Sequence, residues 1–368
     1  MDYEKKVIES QNSYISEYKF GSTYYPVMIL LLLISLIVPV GIYTIYGREP
    51  EIGYDAIYER TPPTNDSPAF VNAMSTRSKI SNVGNLDDYA FKATIMDLID
   101  RKYLILIHGE EENLKLQVAS KDLNDLQDFE VEAINLIRRF EVNGIIDFDY
   151  MNSNLKTEST ARDYIDSLNK WKENFKNTYI TEKVMTKFFD NRGAKLLKYY
   201  VIIMIIISGI FLFIALFYSA HGLLSGILVG VSVFMITLLI ILQFATSNSI
   251  WGRWTEHGKE YNDKWNNFKK YLSDFSLMEE HPPESVIIWN KYLVYATSLG
   301  VAEAVSKAMQ KLVYTNTSPY ENDTYSFYYY GGYNSFSNAI STGYSTVSSS
   351  DSSGSVGGGS GGGGGGAF

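Results

Sequence analysis

The side chains of this 368-residue chain that could do chemistry are few, and their spacing gives them little to do together. There is no cysteine, which removes disulfides and thiolate metal sites, and the four histidines, His108, His221, His257 and His281, lack ligand spacing. No Ser/His/Asp, Cys/His or paired-carboxylate motif stands out. The glycine run from Gly357 to the end lacks the Lys-Ser/Thr of a phosphate loop, and no strand precedes it. Three sequons, at Asn65, Asn316 and Asn322, fall on the side that the charge pattern below reads as the inner one, so none is expected to be glycosylated. The residues therefore predict no catalytic site, no cofactor and no metal, and a protein that is not an enzyme.

The elements that would position any site begin in a membrane. Tyr199 to Tyr218 and Leu223 to Phe244 are apolar runs without a charged side chain, separated only by residues 219–222. Roughly 20 apolar residues cross a hydrocarbon core of about 30 Å, so this reads as a transmembrane hairpin. Tyr24 to Tyr46 reads as a further span, with Pro39 and Gly41 as the expected site of a kink. Lys183, Lys187, Arg192, Lys195 and Lys198 precede the second run, Arg253, Lys259 and Lys264 follow the third, and the hairpin tip has no Lys or Arg. The tip is expected outside. Residues 47–198 and 245–368 then lie in the cytoplasm and residues 1–23 form a short extracytoplasmic N-terminus.

Within 47–198, Ser67-Pro68 opens a short helix to about Met74, a second helix starts near Leu86, and Tyr103 to Ile107 and Leu114 to Val118 form a hairpin. That order is the order of a winged-helix module, an α+β domain, with more helix from about Leu126 to Phe140 and Thr157 to Phe189. Residues 61–196 carry 18 Lys and Arg against 22 Asp and Glu, a net of −4, and the groove-entering helix would present Asp87, Asp88, Asp97 and Asp100. The balance is wrong for phosphate, and the acidic residues read as a solvated face.

Residues 245–313 read as a cytoplasmic helical pair. Trp254, Gly258, Tyr261, Trp265, Phe268, Leu272 and Phe275 form a heptad seam. After His281-Pro282-Pro283, a helix from Ser285 to Leu312 carries Trp289, Tyr292, Leu293 and Leu299 beside a ridge of Ala296, Gly300, Ala304 and Ala308. The expectation is an antiparallel pair with the aromatic seam against the small ridge. An aromatic cage for a cofactor or lipid headgroup is the competing reading. From Tyr314 the chain has no Lys or Arg, and its Tyr-, Ser- and Gly-rich composition predicts disorder over 314–368. Tyr320, Tyr325, Tyr328, Tyr329, Tyr330 and Tyr333 offer weak self-association. The fold class expected is a mainly α membrane protein with three spans, a winged-helix-like domain, a helical hairpin and a disordered tail.

Trp254-Thr255, Gly258-Lys259-Glu260, Lys264-Trp265, Phe268-Lys269, Tyr271-Leu272, Pro282, Trp289, Tyr292-Leu293, Tyr295-Ala296 and Leu299-Gly300-Val301-Ala302 resemble the C-terminal half of the predicted membrane proteins grouped as domain of unknown function 2207. Gly47-Arg48-Glu49, Tyr58 to Pro63 and Ser67-Pro68-Ala69 fall in the order of that family. Its members carry a signal peptide and an extracytoplasmic β-rich domain before the first span, where 23 residues stand here. The resemblance implies the topology and no activity. The function expected is a non-enzymatic scaffold in the bilayer that binds a protein partner on the cytoplasmic side or itself. A membrane-tethered winged-helix regulator of nucleic acid comes second, and a membrane enzyme or transporter third, since the spans contain no Asp, Glu, Lys or Arg.

Overall fold

The computed structural model describes residues 2–75, 83–108, 114–218, 223–245, 251–283, 285–313 and 322–353. The chain divides into two compact units. One takes the residues to Tyr54 and Lys183–Glu260; the other takes the described residues of 55–182 and those from Tyr261 onward.

The first unit is helical because its sequence is apolar over long runs. Helix α1 (Asp2–Ile42) has 41 residues, roughly 60 Å, so helix also covers most of the N-terminal segment expected to precede the span. A π turn, Tyr43–Gly47, follows soon after Pro39, whose ring removes a ladder donor. Helices α8 (Arg192–Tyr218) and α9 (Leu223–Ala245) pack side by side and against α1. Leu197, Val201, Met204 and Ala215 of α8 bury with Leu228, Met235 and Leu239 of α9 and Met28 of α1. Among the described residues two helices, within Tyr3–Gly47 and Arg192–Leu216, are long and apolar enough to cross a membrane; in α9 the described apolar stretch is the shorter Gly226–Leu242. The residues between α8 and α9 lie outside the described ones.

The second unit is built around α3 (Asp88–Asp100). Asp87 accepts the Tyr89 N–H at its start, and eight of its thirteen residues, from Ala90 to Ile99, are buried. Against it pack α2 (Pro68–Met74), α4 (Asp128–Arg138) and strand β1 (Leu104–His108), which pairs antiparallel with β2 (Leu114–Val118). The helix, helix, hairpin order expected from sequence is present, but the sheet continues. A second hairpin, β3 (Glu141–Val142) and β4 (Ile145–Ile146), gives the order β1-β2-β4-β3. Its turn, Asn143-Gly144, has φ of 54° and 81°, as a tight hairpin turn requires. Helices α5 (Phe148–Asn154) and α6 (Glu158–Tyr179) complete this face, and Trp171 of α6 donates its indole N–H to the Phe129 carbonyl at 2.8 Å. The single helix expected over Thr157 to Phe189 is interrupted: α7 (Glu182–Phe188) is separate.

Two expectations need correction. Helix α10 (Glu256–Ser273) is followed by α11 (Phe275–Glu280), and the Ser285 to Leu312 helix is two, α12 (Val286–Leu299) and α13 (Ala302–Leu312). Gly300 has φ of 76° and closes α12, with the Val301 N–H on the Ala296 carbonyl at 2.7 Å; glycine at this position favours a stop. The tail is also ordered over 322–353, as α14 (Asp323–Tyr329) and α15 (Gly332–Ser353). Helix α15 lies on α5 and α6, and α14 touches α3. Tyr325, Phe327, Phe336, Ala339 and Ile340 are buried, the Phe336 ring 5.0 Å from that of Phe148 and 5.8 Å from that of Phe91. Tyrosine and phenylalanine bury enough area to offset ordering even among serines. Residues 354–368, with the glycine run, lie outside the described ones.

Candidate functional site

Of the expected seam, Tyr261, Trp265, Phe268 and Leu272 are buried on α10. They meet rings of α12: Trp265 against Tyr295 at 5.0 Å between centroids, and Phe268 edge-on to Tyr292 at 5.2 Å. Trp289 is buried on the same helix. The small ridge does not face the seam as a unit. The break at Gly300 moves half-buried Ala304 and buried Ala308 onto α13, and the backbones closest to α12 are those of α2, α3 and α13. Large rings hold α10 and α12 apart. Phe275 is half-buried in α11, with Lys311 Nζ 4.6 Å from its ring centre.

The seam also holds an irregular segment, residues 55–67. Tyr292, Tyr295 and Ser298, three residues apart on one face of α12, donate their hydroxyls to the carbonyls of Arg60, Asp66 and Pro68, the last two at 2.8 and 2.6 Å. From α10, Asn267 donates to the Ala56 carbonyl at 2.6 Å and Tyr261 donates to Asp66 Oδ2 at 3.1 Å. A segment without a sheet or helix partner must satisfy its carbonyls elsewhere, and these bonds do so at Ala56, Arg60 and Asp66.

Where the segment 55–67 turns into α2, a cleft of about 380 Å³ opens, lined by Asn65, Asp66, Ser67 and Pro68, by Asp97 and Asp100 of α3 and Arg101 at its end, by Gln127 and Glu130, and by Lys291 and Tyr295 of α12. Arg101 bridges two carboxylates, Asp97 at 2.8 Å and Glu130. Glu130, 7% exposed, also accepts the Gln127 N–H at 2.8 Å as part of a capping box. Lys291 donates to Asn65 Oδ1 at 3.2 Å, and Thr324 donates to Asp100 at 3.3 Å. Burial pushes the Asp97 carboxyl up to about 6, more than Arg101 pulls it down. Burial likewise raises Asp100, against hydrogen bonds from Asn290 and Thr324. The acidic residues expected to form a solvated face are instead engaged by side chains of the unit: exposed Asp87 accepts from Asn72 at 2.9 Å, and half-buried Asp88 accepts from Lys172 at 2.6 Å and from Tyr344 at 2.9 Å. The cleft residues were not found from sequence because they are up to 230 positions apart (Asn65 to Tyr295) and share no local pattern. Among the described residues no group of three or more His, Asp or Glu side chains is placed to hold a metal ion.

In the first unit, the remaining family-like residues hold the feet of the apolar helices. Strand β5 (Phe189–Asp190) pairs with β6 (Arg253–Trp254), so Trp254 is a strand residue, its ring edge-on to Phe189 at 5.7 Å, rather than the first turn of α10. The Trp254 N–H reaches Glu49 Oε2 at 3.2 Å. A Cβ on Gly258 would fall 1.9 Å from the Phe188 carbonyl oxygen, and one on Gly193 2.0 Å from that of Trp251. Only glycine permits either approach.

Residues 55–309 match the C-terminal domain of the predicted membrane proteins described as DUF2207. No curated protein and no solved structure matches the chain.

Proposed function

The chain belongs to the DUF2207 family of predicted membrane proteins, and from that premise we propose that it is a non-enzymatic platform that receives a protein partner at the bilayer. It is a membrane protein, by family and by two helices of sufficient length and apolarity. In the reading proposed, α9 is a third span, the N-terminus is outside, and the second unit and the C-terminus are cytoplasmic. The observation that carries the platform reading is the fate of α3. As the second helix before the hairpin it is the element a winged-helix regulator would place in a DNA groove, yet it is walled in by α2, α4, α12, α14 and β1. What the unit offers outward is the open, mixed-charge cleft, too polar for an apolar ligand and shaped for charged side chains of a partner.

A photo-crosslinking amino acid at exposed Asn65, on the cleft rim, should yield a discrete protein adduct in native membranes, while the same residue at exposed Asp166 yields none. No adduct from Asn65, or equal labelling from both, ends the platform reading. The regulator reading is tested by titrating the whole purified chain with duplex DNA. Sub-micromolar, salt-sensitive binding would favour it, since specific readers reach about 10⁻⁸ M or tighter.

A further inference from the structure

The cleft of the second unit carries four carboxylates, Asp66, Asp97, Asp100 and Glu130, against two cations, Arg101 and Lys291. The pairing is uneven. Arg101 is engaged by Asp97 and Glu130 together. Lys291, exposed on the rim, donates to the Asn65 amide oxygen and not to a carboxylate. Half-buried Asp66 and Asp100 therefore meet neutral donors: Asp66 accepts the Thr64 and Tyr261 hydroxyls at 2.6 and 3.1 Å, and Asp100 accepts the Thr324 hydroxyl at 3.3 Å and the Asn290 side chain. Lys102 and Arg101 attract Asp100 only at longer range, and Lys102 is paired with Asp323 at 2.7 Å. A carboxylate half out of water without a counter-charge is held at a cost in stability, and a cation arriving from outside would remove that cost. The cleft, about 380 Å³, has room for one long side chain. Among the described residues no three carboxylates are placed to hold a metal ion, so the cation that fits is an organic one that donates hydrogen bonds.

Resting on the platform reading, we propose that the partner enters this cleft with a basic side chain, the guanidinium of an arginine or the ammonium of a lysine, which Asp66 and Asp100 neutralise. An acidic segment would meet a net negative wall, and a neutral one would leave both carboxylates as they stand.

The test titrates fluorescent tetra-arginine amide, and tetra-glutamine amide for comparison, onto the full chain in phosphatidylcholine nanodiscs at physiological salt. The wild type should prefer tetra-arginine, and high salt should weaken the binding. D66N/D100N should weaken it at least about tenfold, since hydrogen bonds to a charged group are the stronger ones; asparagine keeps an oxygen for the same neutral donors. D166N, at an exposed position on α6, should change nothing, and K291Q should bind at least as tightly as the wild type. A wild type that binds both peptides equally overturns the proposal. So does a D66N/D100N that loses no more than D166N, because attraction would then come from the net charge of −9 alone, and so does a loss in K291Q. The crosslink from Asn65 separates this from the platform reading. An adduct that D66N/D100N forms as well as the wild type leaves the platform standing and removes the basic side chain; no adduct from either removes the platform itself.

Discussion

Asp97 shows how the interior of the second unit handles charge. Its carboxyl is 24% exposed and lies beside Arg101, yet desolvation outweighs that attraction and lifts it to about 6. A carboxyl raised above its usual 3.8 binds its proton more tightly in the folded state. Its contribution to stability is therefore complete below about pH 4 and is lost as pH rises through 6, up to roughly 3 kcal/mol for two units. Asp97→Asn removes this dependence. Unfolding followed at pH 4.5 and 7.5 should show the variant gaining on the wild type as pH rises; parallel behaviour would mean that Asp97 ionises normally. Asp147 and Asp190, held low by Lys115 and Arg192 against their partial burial, lose stability in acid, but equally in both proteins. Trp265 is a different kind of residue, fully buried between Tyr261, Phe268 and Tyr295. Trp265→Ala should cost about 3 to 5 kcal/mol, read by denaturation of the full chain, whereas Lys270→Ala nearby should cost about 1 kcal/mol or less because its 3.4 Å contact to the Ile57 carbonyl is exposed.

At the scale of elements, α15 makes the sharpest prediction, because composition alone assigned it to a disordered tail. Phe336 is buried between Phe91 and Phe148. Phe336→Ala should therefore destabilise the unit by about 3 to 5 kcal/mol, and amides of residues 335–348 should exchange slowly with solvent. Exchange there at free-chain rates would restore the disordered reading. The residues were legible in a way that composition hid: Phe336, Ala339, Ile340 and Tyr344 recur at helical spacing among the serines. Asn143-Gly144 was likewise a hairpin signal in plain view, masked by the shortness of its flanking strands. The apolar runs as helices, the α2 cap at Ser67-Pro68 and the β1-β2 hairpin were read correctly, because caps, turns and periodicity act locally. Gly300 was misread as part of a ridge since spacing cannot distinguish a glycine chosen for smallness from one chosen for positive φ. The distinction is measurable. Gly300→Ala adds only a methyl group but demands φ of 76° of an alanine; it should cost about 1 to 2 kcal/mol, where a pure ridge position would tolerate it.

For the whole molecule the open quantity is topology, because length and apolarity locate helices without saying which way they run. Lys183 and Lys187 precede α8 and Lys195 and Lys198 stand in its first two turns, while residues 219–222 carry no Lys or Arg; in the topology proposed, the positive-inside bias puts these lysines in the cytoplasm. If α9 returns across the bilayer as a third span, residues 55–182 and 251–353 share that side. The sequons cannot report it alone: Asn322 is buried and caps α14 by accepting the Tyr325 N–H at 3.1 Å, so its modification is blocked wherever it lies. Single cysteines can, because the native chain has none. Ser219→Cys, between α8 and α9 in the sequence, and Ser120→Cys at an exposed position after β2, should respond oppositely to a membrane-impermeant thiol reagent on intact cells: labelled at 219, unlabelled at 120 until the cells are opened. Labelling at 120 alone would invert the protein and put the cleft outside. Labelling at both would mean that α8 does not separate the two positions, and the cytoplasmic platform would fail with it.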